Sequence, residues 1–508
     1  MSSATWTARM KTRNRQSRTA QSIAFCRDRG IAGLSVIAGI CCVPISIAVS
    51  EIFLTAGLVA RLAGFGRHPA TFRPPRVFWF WLVWAGFETV IWLHSPDLSA
   101  GNGEMRHLLL IAALFTTLPA LNRAIDHVRV WKGIFATATV GSVSLILGYF
   151  DRLTRYHDAL AAGGDPSFYL RTGGLLHHWA IYGTVEIVVF GALLEFRAAY
   201  AEQRRWINPA LAVHAVAILL SLTRGLWCSA LLVLALHLVS RRSKCIWLLP
   251  LVSALAMVLS PYAIRHRFAQ TFQSDYYSNA ERVQMWRVGW RMIREQPVFG
   301  VGPGRVEALY CRYLSPGEPT PAYHGHLHNN ALQLGAQFGV LVLGAALVFV
   351  SVLLWDLAGA CTRAVDRERK FLCRSGLQGV IGFLLMGIVD YTYGHSLGLI
   401  LLAFAVLSAL IDTNADKMKR RSPVGEQLLF SEDYVGCPER GAAWRRYGGR
   451  SPQSGTYWQG LILRLLRTYR KRHGSRYCSH SARESAGEVV VEIQREIEGP
   501  RDQADQDC

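Results

Sequence analysis

The chain has 508 residues, 51% of them hydrophobic and 11% aromatic, with 15 tryptophans and a formal net charge of +20. Its mean hydropathy is +0.20. These values together exclude an ordinary soluble domain. Apolar runs of about 16 to 22 residues recur between short charged or Pro/Gly-containing loops, and a helix needs roughly 20 residues to cross the hydrocarbon. The expected fold is therefore an all-α polytopic integral membrane protein, with the lipid bilayer as its first partner and no nucleic acid.

In chain order, a basic segment (1–30) carries Arg9, Lys11, Arg13, Arg15 and Arg18. No apolar core with a small-residue cleavage site follows, so an uncleaved signal-anchor is expected. The membrane domain (31–412) holds about twelve expected spans: 31–49, 51–65, 77–94, 107–121, 131–150, 178–196, 207–222, 225–240, 246–262, 331–356, 371–391 and 395–412. The first two, "CCVPISIAVSEIFLTAGLVARLAGF", also fit a broken pair. A polar tail (413–508) is expected to be disordered, although "YWQGLILRLLRTYRKRH" (457–473) has the pattern of a basic amphipathic helix suited to an anionic leaflet.

Lys and Arg set the orientation. Arg67, Arg73 and Arg76, then Arg123, Arg129 and Lys132, then Arg241, Arg242 and Lys244, then Arg363, Arg367, Arg369 and Lys370 all fall in alternate short loops. The positive-inside rule then makes both termini cytoplasmic and the long segment 263–330 external, which in a bacterial inner membrane is periplasmic. That segment is long enough to escape the rule, so its surplus arginines need another explanation.

Within it, "NAERVQMWRVGWRMIREQP" (279–297) predicts a helix capped by Asn279 and stopped by Pro297. Val283, Trp286, Trp290 and Ile293 form an apolar stripe, while Arg287, Arg291 and Arg294 lie on another, an arrangement suited to the membrane interface. The following "FGVGPGRVEALY" predicts a tight turn with exposed amides.

Polar residues gather on the external side in four places: Arg171 with His177 and His178, Arg224 at a hairpin tip, Arg282, and "AYHGHLHNNALQLG" (322–335) with His324, His326 and His328. An arginine at membrane depth costs about 2.5–3.5 kcal/mol on insertion scales and marks a functional position unless it snorkels. Guanidiniums pair bidentately with phosphate and stay charged, so a phosphate or diphosphate ligand fits them. The histidines admit three readings: a metal site, a catalytic base, or a polar loop. Asn329 or Asn330 can cap the helix that follows, which places His328 at the positive end of its dipole and favours the neutral base. No Asp-x-Asp pair occurs in the external loops, so a carboxylate-held Mg²⁺ has no support.

The order "SLTRG" (221–225), "ERVQMWRVGWRMIREQPVFGVGPG" (281–304) and "HLHNNALQLGAQFGV" (326–340) resembles the bacterial O-antigen ligase and O-antigen polymerase superfamily. There a His followed by Asn, Ser or Gln precedes a Gly-x-x-Gly pair. Here His328-Asn329 is followed by Gly339, and Val342 stands where the second glycine would be. "RTGGLLHHWAIYG" (171–183) resembles the family's Arg-x-x-Gly element. The resemblance implies a GT-C-like, metal-independent glycosyltransferase that uses a polyprenyl diphosphate donor and no cofactor.

By that resemblance Arg224, Arg282 and His328 are the catalytic positions, and Arg171 and His326 bind substrate. Asn329, Arg287 and Arg291 are further candidate substrate-binding residues. The expected activity is O-antigen ligase-like transfer of a polysaccharide from undecaprenyl diphosphate to lipid A-core. The alternative within the family is a polymerase acting on a growing polysaccharide or another hydroxyl acceptor, and an anion transporter is the alternative outside it.

Overall fold

A computed structural model of the chain describes residues 30–63, 74–121, 123–161, 169–274, 276–321 and 325–411. The basic segment through residue 29, the tail from residue 412 with its stretch 457–473, and His324 lie outside the described residues. Among the described residues there are sixteen α-helices and no strand. They are α1 (Gly30–Cys42), α2 (Ile47–Ala63), α3 (Arg76–Leu93), α4 (Asn102–Thr117), α5 (Ala124–Asp151), α6 (Leu153–Ala161), α7 (Trp179–Ala199) and α8 (Arg204–Leu220). Then follow α9 (Arg224–Ser240), α10 (Leu249–Leu259), α11 (Tyr262–Ala269), α12 (Tyr277–Glu295), α13 (Val306–Leu309), α14 (Asn330–Arg363), α15 (Arg367–Met386) and α16 (Ser396–Leu410).

Each expected apolar stretch contains one of these helices, which is the architecture of a multi-pass helical membrane protein. The count of twelve crossings does not follow from helix length. Four helical stretches are long and apolar enough to cross, Arg76–Leu93, Ala124–Ala159, Trp179–Ala199 and Asn330–Arg363, and a fifth if the bent pair Lys244–Leu259 and Tyr262–Ala269 is one span. That pair turns by 120°, at Ser260-Pro261, where proline removes a helix donor. α1 and α2 have 13 and 17 residues and α16 has 15. At 1.5 Å per residue these fall short of the roughly 30 Å hydrocarbon core.

α7 is the central helix, buried almost throughout from Ala180 to Phe196 and packed by α8, α9, α15 and α16. Polar groups at such depth must be paired, because a buried unpaired charge costs several kcal/mol, and these are. Glu186 on α7 lies 2.7 Å from His214 Nδ1 on α8, and Ser142 Oγ on α5 is 2.9 Å from the Tyr182 hydroxyl. At the other end Glu195 meets His237 (2.7 Å), Arg241 (2.6 Å) and Gln378 (2.6 Å), tying α7 to α9 and α15. Glu88 on α3 accepts from the Trp84 indole at 2.7 Å.

α14 carries the motif histidines at its head and is broken at Gly339, where φ is +80° and ψ −180°. A continuous helix of its 34 residues would be about 51 Å long, well beyond one bilayer core. The break leaves a buried first part, residues 330–338, and an apolar second part that by itself covers the membrane thickness. The segment 297–302 repairs the interrupted hydrogen bonds: Val340 N donates to Pro297 O (2.8 Å), Val301 N to Ala336 O (2.8 Å) and Gly302 N to Gln337 O (3.1 Å). The expected tight turn is thus a clamp on the broken helix. A Cβ at Gly339 would lie 2.2 Å from Val298 O, so glycine is required by both the dihedral and the space. Val342, at the expected second glycine, is fully buried in an ordinary helical position.

α12 divides its apolar residues between two faces. Its buried face is Met285, Val288, Gly289, Met292 and Ile293, which packs on α14, whereas Val283 and Trp290 are 43% and 56% exposed. Asn279 lies inside the first turn, and its amide donates to Gln270 O (2.8 Å) and Gln273 O (2.7 Å) rather than capping the helix. Arg291 makes a bidentate pair with Glu318 at 2.7 and 3.1 Å, which fastens the 313–318 segment to α12.

Gly339→Ala should lower the melting temperature in detergent by several degrees, because it combines positive-φ strain of about 1–2 kcal/mol with a backbone overlap. An unchanged melting curve would mean that the break is not imposed by the clamp. The Arg291 hydrogen bonds and the Ser315 amide pull the Glu318 carboxyl down to about 2 from 4.5. Its contribution is therefore present above the ordinary glutamate range and is lost as pH falls towards 2. Hydrogen exchange at the Ser315 amide should stay protected from pH 7 to the ordinary glutamate range and rise only below it.

Candidate active site

Asn329 caps α14, its Oδ1 accepting from Leu332 N at 2.9 Å, while its Nδ2 donates to Ile388 O at 2.8 Å. Asn330 N donates to Gly387 O at 2.9 Å, and the Asn330 side chain bonds Thr392 Oγ1 (2.8 Å) and Tyr393 N (3.1 Å). The two asparagines thus bind the head of α14 to the loop between α15 and α16. This brings Asp390 against His328, with Oδ1 at 3.0 Å from Nδ1. An ionised carboxylate only accepts, so Nδ1 carries the proton and the lone pair of the neutral ring is on Nε2. His328 sits at φ +47°, a left-handed backbone that His adopts more readily than most residues.

His326 lies edge-on to His328, with centroids 4.2 Å apart, and 5.6 Å from the Tyr391 ring. Its Nδ1 accepts from His328 N at 3.4 Å. Burial and then the neighbouring His328 push its pKa down to about 3, so it is neutral across the physiological range. Beneath it the Tyr391 hydroxyl donates to Glu104 at 2.8 Å, and Gln337 donates to the same carboxylate at 3.1 Å. The donor atoms of His326, His328 and Asp390 lie within 4.8 Å of one another, close enough to share a single cation.

The arginines converge on this point. Arg224, the first residue of α9, donates to Gln270 O at 3.1 Å and lies 5.7 Å from the Tyr276 ring centroid. Arg282 and Arg224 line one cavity of about 460 Å³, whose other walls include Leu232, Trp286, Leu385 and Ile388. Arg171 lies flat over Trp179 at 4.1 Å. Burial first, then Arg267 and Arg282, pull the Arg171 guanidinium down to about 9, and burial also lowers that of Arg282. Arg171 Nε, Arg224 Nη2 and Arg282 Nε are buried without a hydrogen-bond partner among the described residues.

Of the expected site residues, Arg171, Arg224, Arg282, His326, His328 and Asn329 are gathered here. Arg287 is exposed on α12, and Arg291 is engaged with Glu318, so neither joins the cluster. Missing from the sequence expectation are Arg267, which precedes the long turn, and Tyr391 and His395, which enter only because α15 and α16 fold their connecting loop over the head of α14. Asp390, inside the expected span 371–391, comes in with the same loop.

Such an arrangement offers cations without an ion-pair partner among the described residues beside an imidazole backed by a carboxylate, near an apolar cavity. It can hold a multiply charged anion with an apolar tail and accept a proton next to it. A match to the O-antigen ligase family model covers residues 209–349, a stretch that holds Arg224, Arg282, His326, His328 and Asn329 and leaves out Arg171 and Asp390. No curated protein matches the chain. With the motif residues in one site and the family match lying across them, residues 209–349 resemble the O-antigen ligase family.

Proposed function

We propose that the protein transfers a glycan from undecaprenyl diphosphate to a hydroxyl acceptor, in the manner of an O-antigen ligase whose acceptor is lipid A-core. The observation that carries this reading is the cluster of half-buried arginines, each with a guanidinium nitrogen that has no partner among the described residues, beside the Asp390–His328 pair. In the reading, the diphosphate lies among Arg171, Arg224 and Arg282, and its isoprenoid tail follows the apolar wall of the cavity along α9. The site faces the periplasm of the inner membrane, with both termini cytoplasmic, about twelve crossings and a GT-C-like arrangement.

His328 Nε2 takes the proton of the acceptor hydroxyl as its oxygen attacks the anomeric carbon. The bond from that carbon to the phosphate oxygen breaks, and the electron pair stays with the diphosphate. The arginines stabilise the charge that grows there, which is electrostatic catalysis by fixed groups. Asp390 holds the imidazole tautomer and stabilises the imidazolium. Diphosphate leaves readily, so the step needs no acid and, in this reading, no metal or cofactor.

A polymerase, whose acceptor is a second lipid-linked repeat unit, would use the same groups. Glycans from a deletion strain separate the two, since full-length lipid-linked polymer accumulates without a ligase and single repeats without a polymerase. The grouping of His326, His328 and Asp390 favours a metal site as the second reading. An anion transporter has less support, because Glu88 and Glu186 are each tied to neighbouring side chains.

In an in vitro transfer assay with a lipid-diphosphate glycan, His328→Ala should lose about 10²–10⁴-fold in rate with an unaltered melting curve. Asp390→Asn should fall between it and the parent. EDTA should leave activity unchanged, and inhibition by a chelator that zinc reverses would establish the metal reading instead. Arg224→Lys should be poor despite its retained charge, because a point cation cannot replace a planar fork.

A further inference from the structure

A second cavity lies at the end of α3 that the proposed orientation places outside. It measures about 260 Å³ and is walled by that helix end, the 296–302 segment and the residues around α13. Among the described residues it shares no wall with the cavity of Arg224 and Arg282. Its construction is rigid. Asp97 Oδ1 accepts from Ser99 N at 2.9 Å and from Ala100 N at 3.2 Å, and the Trp92 indole donates to Leu98 O at 2.9 Å, which fixes the loop after α3. The glycine-rich turn presses on that loop: a Cβ at Gly304 would overlap Ala100 O, and one at Gly302 would lie 3.0 Å from Ser95 Oγ. Because Val301 N and Gly302 N are bonded to Ala336 O and Gln337 O, the cavity wall and the first part of α14 are one piece.

The walls decide what fits. Phe299 is 52% exposed and stacks on the His94 ring, with centroids 5.9 Å and planes 25° apart, which leaves part of each flat face open. Beside them stand Ser95, Gln296, Arg305 and Arg312. His94 Nδ1 lies 2.8 Å from Val90 O; a carbonyl only accepts, so Nδ1 carries the proton and Nε2 of the neutral ring is an acceptor. A hydrocarbon chain here would strip water from the polar groups and return no hydrogen bond. A phosphate would have to displace Glu295, which pairs with Arg312 at 2.9 Å, and Arg305 already donates to Val301 O at 3.3 Å. Flat ring faces bordered by both donors and acceptors, with Arg312 already neutralised, suit a pyranose, whose C–H bonds lie on its faces and whose hydroxyls lie around its edge. The volume is below the roughly 300 Å³ at which drug-sized pockets begin, so it admits one ring rather than a chain.

We infer that this cavity binds one sugar residue of the acceptor glycan, so that donor and acceptor are held in separate cavities. The inference rests on the glycan-transfer reading above, which requires a second substrate and gives it no place. An acceptor held through the arginines would compete with the diphosphate for the same cations, whereas one held by ring faces and hydroxyls does not. From Asn330 to Gln337 the helix rises about 10 Å, which separates the cavity from His328 along the first part of α14. The hydroxyl that reacts therefore belongs to a different residue of the glycan from the one held in the cavity. This makes the cavity a specificity subsite, where binding of a remote part of the substrate places the reacting part. The clamp on the broken helix fixes the spacing between the two.

Calorimetric titration of the purified full-length protein with core oligosaccharide freed of its lipid tests this, beside KM measurements in the transfer assay. The wild type should bind the oligosaccharide. Phe299→Ala and Arg312→Ala should each weaken that binding about tenfold, the scale of one lost ring face or charged hydrogen bond, and raise the acceptor KM by a similar factor with a much smaller change in the donor KM. Phe299→Leu keeps apolar bulk without a flat ring and should behave as Phe299→Ala does. The Arg312 side chain is 67% exposed, so Arg312→Ala spares the fold and decides the matter if the Phe299 variants do not fold. No binding by the wild type, wild-type binding in Arg312→Ala, or an equal rise in both KM values would overturn the inference. Displacement of the oligosaccharide by inorganic diphosphate would also overturn it, since the sugar would then lie among the arginines. Full transfer by His328→Ala would sink the glycan-transfer reading, whereas loss of transfer there with wild-type oligosaccharide binding in Arg312→Ala would sink only the sugar site.

Discussion

The site depends on a helix that cannot be continuous. α14 has to present His328 within a folded polar region and also supply an apolar segment of membrane length, and no straight helix of its length does both. Gly339 separates the tasks. The break frees carbonyls and an amide, and the 297–302 segment supplies the missing partners. The glycine-rich turn, the break and the position of the histidine helix are therefore one structural unit. α12 leads directly into that turn, so the arginine helix and the histidine helix are set relative to each other by backbone bonds.

A second constraint is the handling of charge. Glu88, Glu104, Glu186 and Glu195 each lie buried with hydrogen-bond partners from other side chains. Their carboxyl groups are hydrogen-bonded locally and hold helices together. The arginine cluster is the opposite case: its cations are held by neutral groups, such as Gln270 O, the Tyr276 hydroxyl and the Trp179 ring, which orient a guanidinium without cancelling it. Neutral scaffolding around cations is what an anion-binding site requires, because a carboxylate in the same place would have to be displaced first.

The helical, apolar character of the chain was readable from hydropathy alone, since every long apolar stretch became helix. The number of crossings was not, because hydropathy does not register a break such as Ser260-Pro261 or Gly339 as an interruption. Motifs single out Arg224, Arg282 and His328, and its place before a span singles out Arg171, and the fold gathers the four in one region. Asp390 and Tyr391 escaped because their role arises from folding: Asn329 and Asn330 bind a loop almost sixty residues away. Arg287 and Arg291 were grouped with the site by helical periodicity, which gives the face of a residue but not its partner. Glu318, distant in sequence, decides the matter for Arg291. The packed face of α12, with Met285, Val288 and Met292, lies beside the expected stripe, whose Val283 and Trp290 stay exposed, which suits an interfacial helix.

The outward-facing Val283 and Trp290 have a geometric meaning. They share α12 with Arg282, so apolar side chains that favour the headgroup boundary and a cation of the candidate site ride on one rigid rod. In the proposed orientation, the height of the reacting plane above the lipid is measured from the outer leaflet and is independent of how far the spans extend towards the cytoplasm. The protein would thus carry its own ruler, matched to substrates that arrive tethered to that same leaflet.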